Sequence, residues 1–87
     1  MTNSERMVNL MIYCDLLRKN GNSAVYKFGG TTDDMTGEIE FFSDREPVVI
    51  KEPSERKVAK MWIGKLFIKY RADIKNGIFK EKMAYEC

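Results

Sequence analysis

The chain has 87 residues, 44% of them hydrophobic and 32% charged, which points to one folded domain over residues 1–87 and excludes disordered chains, collagen-like chains and two-lobed enzymes. It contains no histidine, so the commonest general base and the commonest metal ligand are both missing. The net charge is only +2, yet residues 1–50 sum to −3 and residues 51–87 to +5, a polarity that suits charged partners or an acidic sheet edge beside a basic helix.

Val8, Leu10, Ile12, Cys14 and Leu16 recur with period two, whereas a helical wheel of the same stretch mixes apolar positions with Asn9, Asp15 and Lys19. The alternation predicts a strand over residues 8–18, in preference to a helix opened by a cap at Ser4 and Glu5. Asn20-Gly21 predicts a type I′ hairpin turn, because both central residues must tolerate positive φ. A second strand, residues 23–29, is aromatic and β-branched and ends at Gly29-Gly30. In a third, residues 37–42, Glu38 and Glu40 alternate with Ile39 and Phe41, so one face is wet and the other buried. Turn residues follow, and Pro47 opens a fourth strand, residues 47–51, where a missing N–H costs no interior ladder bond. Short connections make neighbours pair in order, as a four-stranded antiparallel meander.

Pro53-Ser54 predicts a helix over residues 55–76, with Ser54 as N-cap, Glu55 in the first turn and Gly77 as the stop, about 33 Å long. Val58, Ala59, Trp62, Ile63, Leu66, Phe67, Tyr70 and Ile74 share one broad side, wide enough to cover a sheet. The expected fold class is α+β: the meander, the long helix on one face, and a short C-terminal extension or edge strand carrying Phe79, Met83 and Tyr85.

The opposite side of the helix carries a row of Met61, Gly64, Ile68 and Ala72 bordered by the basic face, Lys57, Lys60, Lys65, Arg71 and Lys75. A glycine inside a helix costs about 1 kcal/mol relative to alanine, so Gly64 implies the close approach of another backbone. Three readings remain open: the tail, residues 78–87, folds back over Met61 and Ile68 with Gly64 making room for Phe79 or Tyr85; a protein partner docks there; or the row is exposed without a role. A second copy would meet it as antiparallel helices crossing near Gly64.

Seven cations on the predicted helix, against Glu55 and Asp73, make nucleic acid the alternative partner, with salt-sensitive affinity. Tyr13, Tyr26, Phe28, Phe41 and Phe42 have the chemistry to stack on bases, but Tyr26, Phe28 and Phe41 read as core, and Phe42 points opposite to Phe41. Asp33, Asp34, Glu38, Glu40, Asp44 and Glu46 read as an acidic surface suited to a basic partner; their spacing is not that of a calcium loop, and no metal or cofactor is expected. Gly29-Gly30-Thr31-Thr32 is too short to cradle a phosphate. Cys14 and Cys87 match no metal or disulfide framework and are expected to be reduced. No acid and base pair can be nominated, so catalytic residues are not expected. The N-terminal residues lack the pattern of an export signal, and the apolar-rich residues 7–17 are too short to span a bilayer, so a cytoplasmic protein without membrane contact is expected. The function expected is a small non-catalytic protein-interaction or regulatory module that meets a protein partner or a second copy through the outer helix face.

Overall fold

Apolar residues along the extended segments build one sheet, and among the described residues a single helix lies across it. The computed structural model describes residues 11–86. Strands β1 (Met11–Asn20), β2 (Ser23–Gly29), β3 (Gly37–Phe42) and β4 (Val48–Lys51) pair antiparallel in chain order. The 16-residue helix α1 (Lys60–Lys75) follows, and β5 (Lys82–Glu86) then returns to pair antiparallel with β1, so the sheet order is β4-β3-β2-β1-β5. The α+β meander expected from the sequence is present, with the tail as a fifth, edge strand. Val8, Leu10, the Ser4 and Glu5 cap and Cys87 lie outside the described residues. Among the described residues, no helix is long and apolar enough to cross a membrane.

Gly21 adopts a φ of 63°, the left-handed geometry that the Asn20-Gly21 turn demands. Ile12, Cys14, Tyr26, Phe28, Ile39, Phe41 and Met83 turn to the helix side of the sheet and are buried, where Ile63, Leu66 and Ile74 of α1 meet them. Tyr26 and Phe41 pack edge to face with ring centroids 5.4 Å apart, and Phe67 of α1 stacks over Phe41 at 6.3 Å. The Tyr26 hydroxyl donates to the Lys80 carbonyl at 2.7 Å, tying the chain between α1 and β5 to the centre of the sheet.

The helix begins at Lys60, not at residue 55, and Ser54 is not its cap: Ala59 is, with no side-chain hydrogen bond. Upstream, the Asp34 carboxylate accepts the backbone N–H groups of Glu55 at 3.2 Å and Arg56 at 3.0 Å, while the Ser54 N–H donates to the Thr36 hydroxyl at 2.7 Å. The Ser54 hydroxyl, the expected cap, is itself turned to Asp34 at 3.3 Å. The loop between β2 and β3 thus fastens this segment, which runs as a bend until Val58 enters the core. The far end follows expectation. Gly77 has φ 75°, its N–H donates to the Ile74 carbonyl at 3.0 Å, and the Ile78 N–H donates to the Asp73 carbonyl at 2.9 Å, which is a Schellman stop.

Candidate functional site

Asp34 was expected on an acidic surface, but it is 5% exposed and acts as an internal latch. Besides the two N–H groups, its Oδ1 accepts the hydroxyls of Thr36 at 2.9 Å and Ser54 at 3.3 Å. Burial alone would raise its pKa; the donors of Thr36, Arg56, Glu55 and Ser54 outweigh it and hold the carboxyl below its ordinary range. A depressed carboxylate pKa adds stability that is complete above the unfolded value and is lost as pH falls through the folded one. Asp34→Asn is therefore expected to lower the Tm by about 5–10 °C at neutral pH. The gap to the parent protein should narrow as pH drops below about 4. Thermal melts at neutral and acidic pH check this; a gap that stays constant would show that the charge is not what holds the latch.

The other acidic residues of that set are exposed or partly exposed, among cations of the sheet and its loops. On the sheet face away from the helix, the strand registers place Lys51, Glu38, Lys27, Asp15 and Lys82 opposite one another in a single row across all five strands, with alternating sign. Lys82 and Asp15 form an ion pair at 3.2 Å. Glu40 accepts the Ser23 hydroxyl at 2.7 Å, and Asp44 pairs with Arg45. Asp33 and Glu46 are exposed in the loops on either side of β3. The intramolecular partners of the acidic strand are therefore lysines of the sheet rather than of the helix. The aromatic residues divide in the same way. Tyr26, Phe28 and Phe41 are fully buried under α1, whereas Phe42 lies on the other face with the Arg45 guanidinium 4.6 Å from its ring centre.

The helix presents the opposite picture. Met61 is 60% exposed and Ile68 68% exposed, and a Cβ built on Gly64 meets nothing within 4 Å. The tail does not cover this row, because residues 82–86 are spent on pairing with β1. Phe79 is in the core, and Tyr85 lies against Trp62 with ring centroids 6.2 Å apart, so Gly64 makes room for neither. At 100° per residue, Lys60 and Arg71 flank the row of Met61, Gly64, Ile68 and Ala72 on one side and Lys65 and Lys69 on the other. Lys75 extends it at the C-terminal end, while Lys57 precedes the helix. Among the described residues, none of Lys57, Lys60, Lys65, Arg71 and Lys75 has an ion-pair partner within 4.0 Å, unlike Lys80, which pairs with Asp73. Ile68, Ala72, Arg71 and Lys75 line a shallow depression at the C-terminal half of the row. As a Cβ at position 64 would stand in open space among the described residues, Gly64→Ala should raise stability by about 0.5–1 kcal/mol.

Residues that the sequence did not single out close the sheet edges. The Tyr70 hydroxyl accepts the Ala84 N–H at 3.2 Å and donates to the Ala84 carbonyl at 3.3 Å, and Lys69 Nζ donates to the same carbonyl at 2.9 Å. These bonds occupy outward-facing backbone groups of β5. A polar tip on the apolar side of the helix was the signal for Tyr70. The other edge, β4, is four residues long, follows Pro47, carries Lys51 and has a register shift opposite Glu38 and Ile39. All four features disfavour strand addition.

A groove of about 660 Å³ beside Asp34, Arg56 and Trp62 contains no unsatisfied buried polar side chain among the described residues. Burial closes off Cys14 and pushes its thiol well above the ordinary range, with Asp15 adding to the shift. Among the described residues, no group of three or more Cys, Asp or Glu side chains is placed to hold one metal ion. No protein-family model matches this chain, and neither does any curated protein or solved structure.

Proposed function

We propose that the protein is a small non-catalytic interaction module whose contact surface is the outer face of α1, built on Met61, Gly64, Ile68 and Ala72. The observation that supports this is the exposure of Met61 and Ile68 in one row, with open space at Gly64 between them. Large apolar side chains gathered on one face with a charged border have the anatomy of a contact patch. Strand addition is disfavoured at β4 and obstructed at β5, so edge pairing is not the mode that a partner would use. A second copy is one such partner, although a two-fold contact would set its lysines against those of the first copy.

The test is a photo-crosslinking amino acid at position 68, with the same group at exposed Thr32 as control, in cells that make the protein. Protein adducts, self-adducts included, that depend on position 68 are expected. Adducts to nucleic acid alone, or none above the control, would overturn the reading. The second reading, nucleic-acid binding along the basic face, draws on the unpaired lysines. It expects Lys60→Glu with Lys65→Glu to abolish retention on heparin.

A further inference from the structure

We propose that the partner docking on α1 is an amphipathic helix with an apolar stripe bordered by Asp or Glu, crossing α1 near Gly64. This rests on reading the outer face of α1 as the contact surface. The chemistry of the face selects the occupant. Across the sheet, cations and anions alternate, and Lys82 and Asp15 form a bridge; on α1, Lys60, Lys65, Arg71 and Lys75 surround an apolar row with no anion bridged to them among the described residues. A carboxylate-bordered surface would satisfy these cations, whereas a second copy would double the like charge and gain only with salt. A bare phosphate backbone would satisfy the cations but leave Met61 and Ile68 in water. Apolar and acidic groups are therefore needed together, at the spacing of one helix laid on another. Gly64 lacks the side chain that would hold two axes apart, and packed helices approach to about 8–10 Å. A flat row without deep walls suits a helix better than an extended strand, which would need a free sheet edge to hydrogen-bond.

The probes are synthetic helical peptides followed by fluorescence anisotropy: one with a leucine stripe flanked by glutamates, one with the same stripe flanked by lysines, and a polyglutamate without the stripe. A single-stranded oligonucleotide is the fourth. Binding of the first alone is expected, weakening as salt rises and falling at least about tenfold in Ile68→Glu. Gly64→Ala separates fold from contact: its Tm should rise by a few degrees while peptide affinity falls, a pairing that loss of structure cannot produce. Equal binding of polyglutamate or of the oligonucleotide, or unchanged affinity in both variants, would overturn the proposal. Protein adducts at position 68 without binding of the acidic peptide would end this inference alone. The absence of protein adducts would end the interaction reading as well.

Discussion

Phe41→Ala should cost about 3–5 kcal/mol, most of the stability available to a domain of this size. Phe41 is fully buried on β3 between Tyr26 of the neighbouring strand and Phe67 of the helix, so its removal opens a cavity where sheet and helix meet. Both aromatic contacts go at once, and neither partner can close the space without moving a strand or the helix. The urea midpoint, read from the fluorescence of the single tryptophan, Trp62, should fall by about 2 M or more. The adjacent Phe42→Ala is the control. Phe42 lies on the other face, half-buried beneath Arg45, and its loss should cost about 1 kcal/mol or less. Equal losses at the two positions would mean that the alternation on β3 does not place Phe41 alone in the core.

Gly29→Ala is expected to be as damaging for a different reason. An added Cβ would run into the carbonyl oxygen of Asp34, with the carbonyl carbon at 2.7 Å and Met35 Cα at 3.3 Å. All three atoms are backbone, so no side chain can rotate away. The loop must shift, and with it the carboxylate that holds Glu55 and Arg56. Overpacking ordinarily costs about 1–3 kcal/mol, and backbone displacement coupled to loss of the latch puts this case at about 3 kcal/mol or more. The same substitution at Gly64 should have the opposite sign, since that Cβ would stand in open space. Thermal melts of the two variants side by side test this; a mild Gly29→Ala would mean that the loop yields without disturbing Asp34.

The strands were legible from local signals: alternation in β1 and β3, aromatic and β-branched composition in β2 and β4. Glu38, Ile39, Glu40 and Phe41 alternate along β3 as they do in space, and Asn20-Gly21 names its turn. The inward side of α1 was legible for the same reason, its spacing marking Ile63, Leu66 and Ile74 as core. The start of the helix was not. Ser54 and Glu55 have the local chemistry of an N-terminus, but Asp34 and Thr36 hold the Ser54 hydroxyl and the N–H groups of residues 54–56 in a bend, an arrangement invisible until the loop between β2 and β3 is placed. Of the candidate surfaces, the outer row of α1 was readable as a pattern, while the burial of Asp34 and its removal from the acidic surface were not.

The division has one physical reason. Interactions within a few residues, such as alternation, helical spacing, turn geometry and the Gly77 stop, are encoded where they act, and the sequence by itself determined the α+β meander and the two-faced helix. Interactions between distant segments depend on register and proximity, and only the tertiary structure decided those. It chose the edge of β1 for the tail, turned Asp34 inward, set Glu38 between Lys27 and Lys51, and, among the described residues, left Met61 and Ile68 uncovered beside lysines without ion-pair partners.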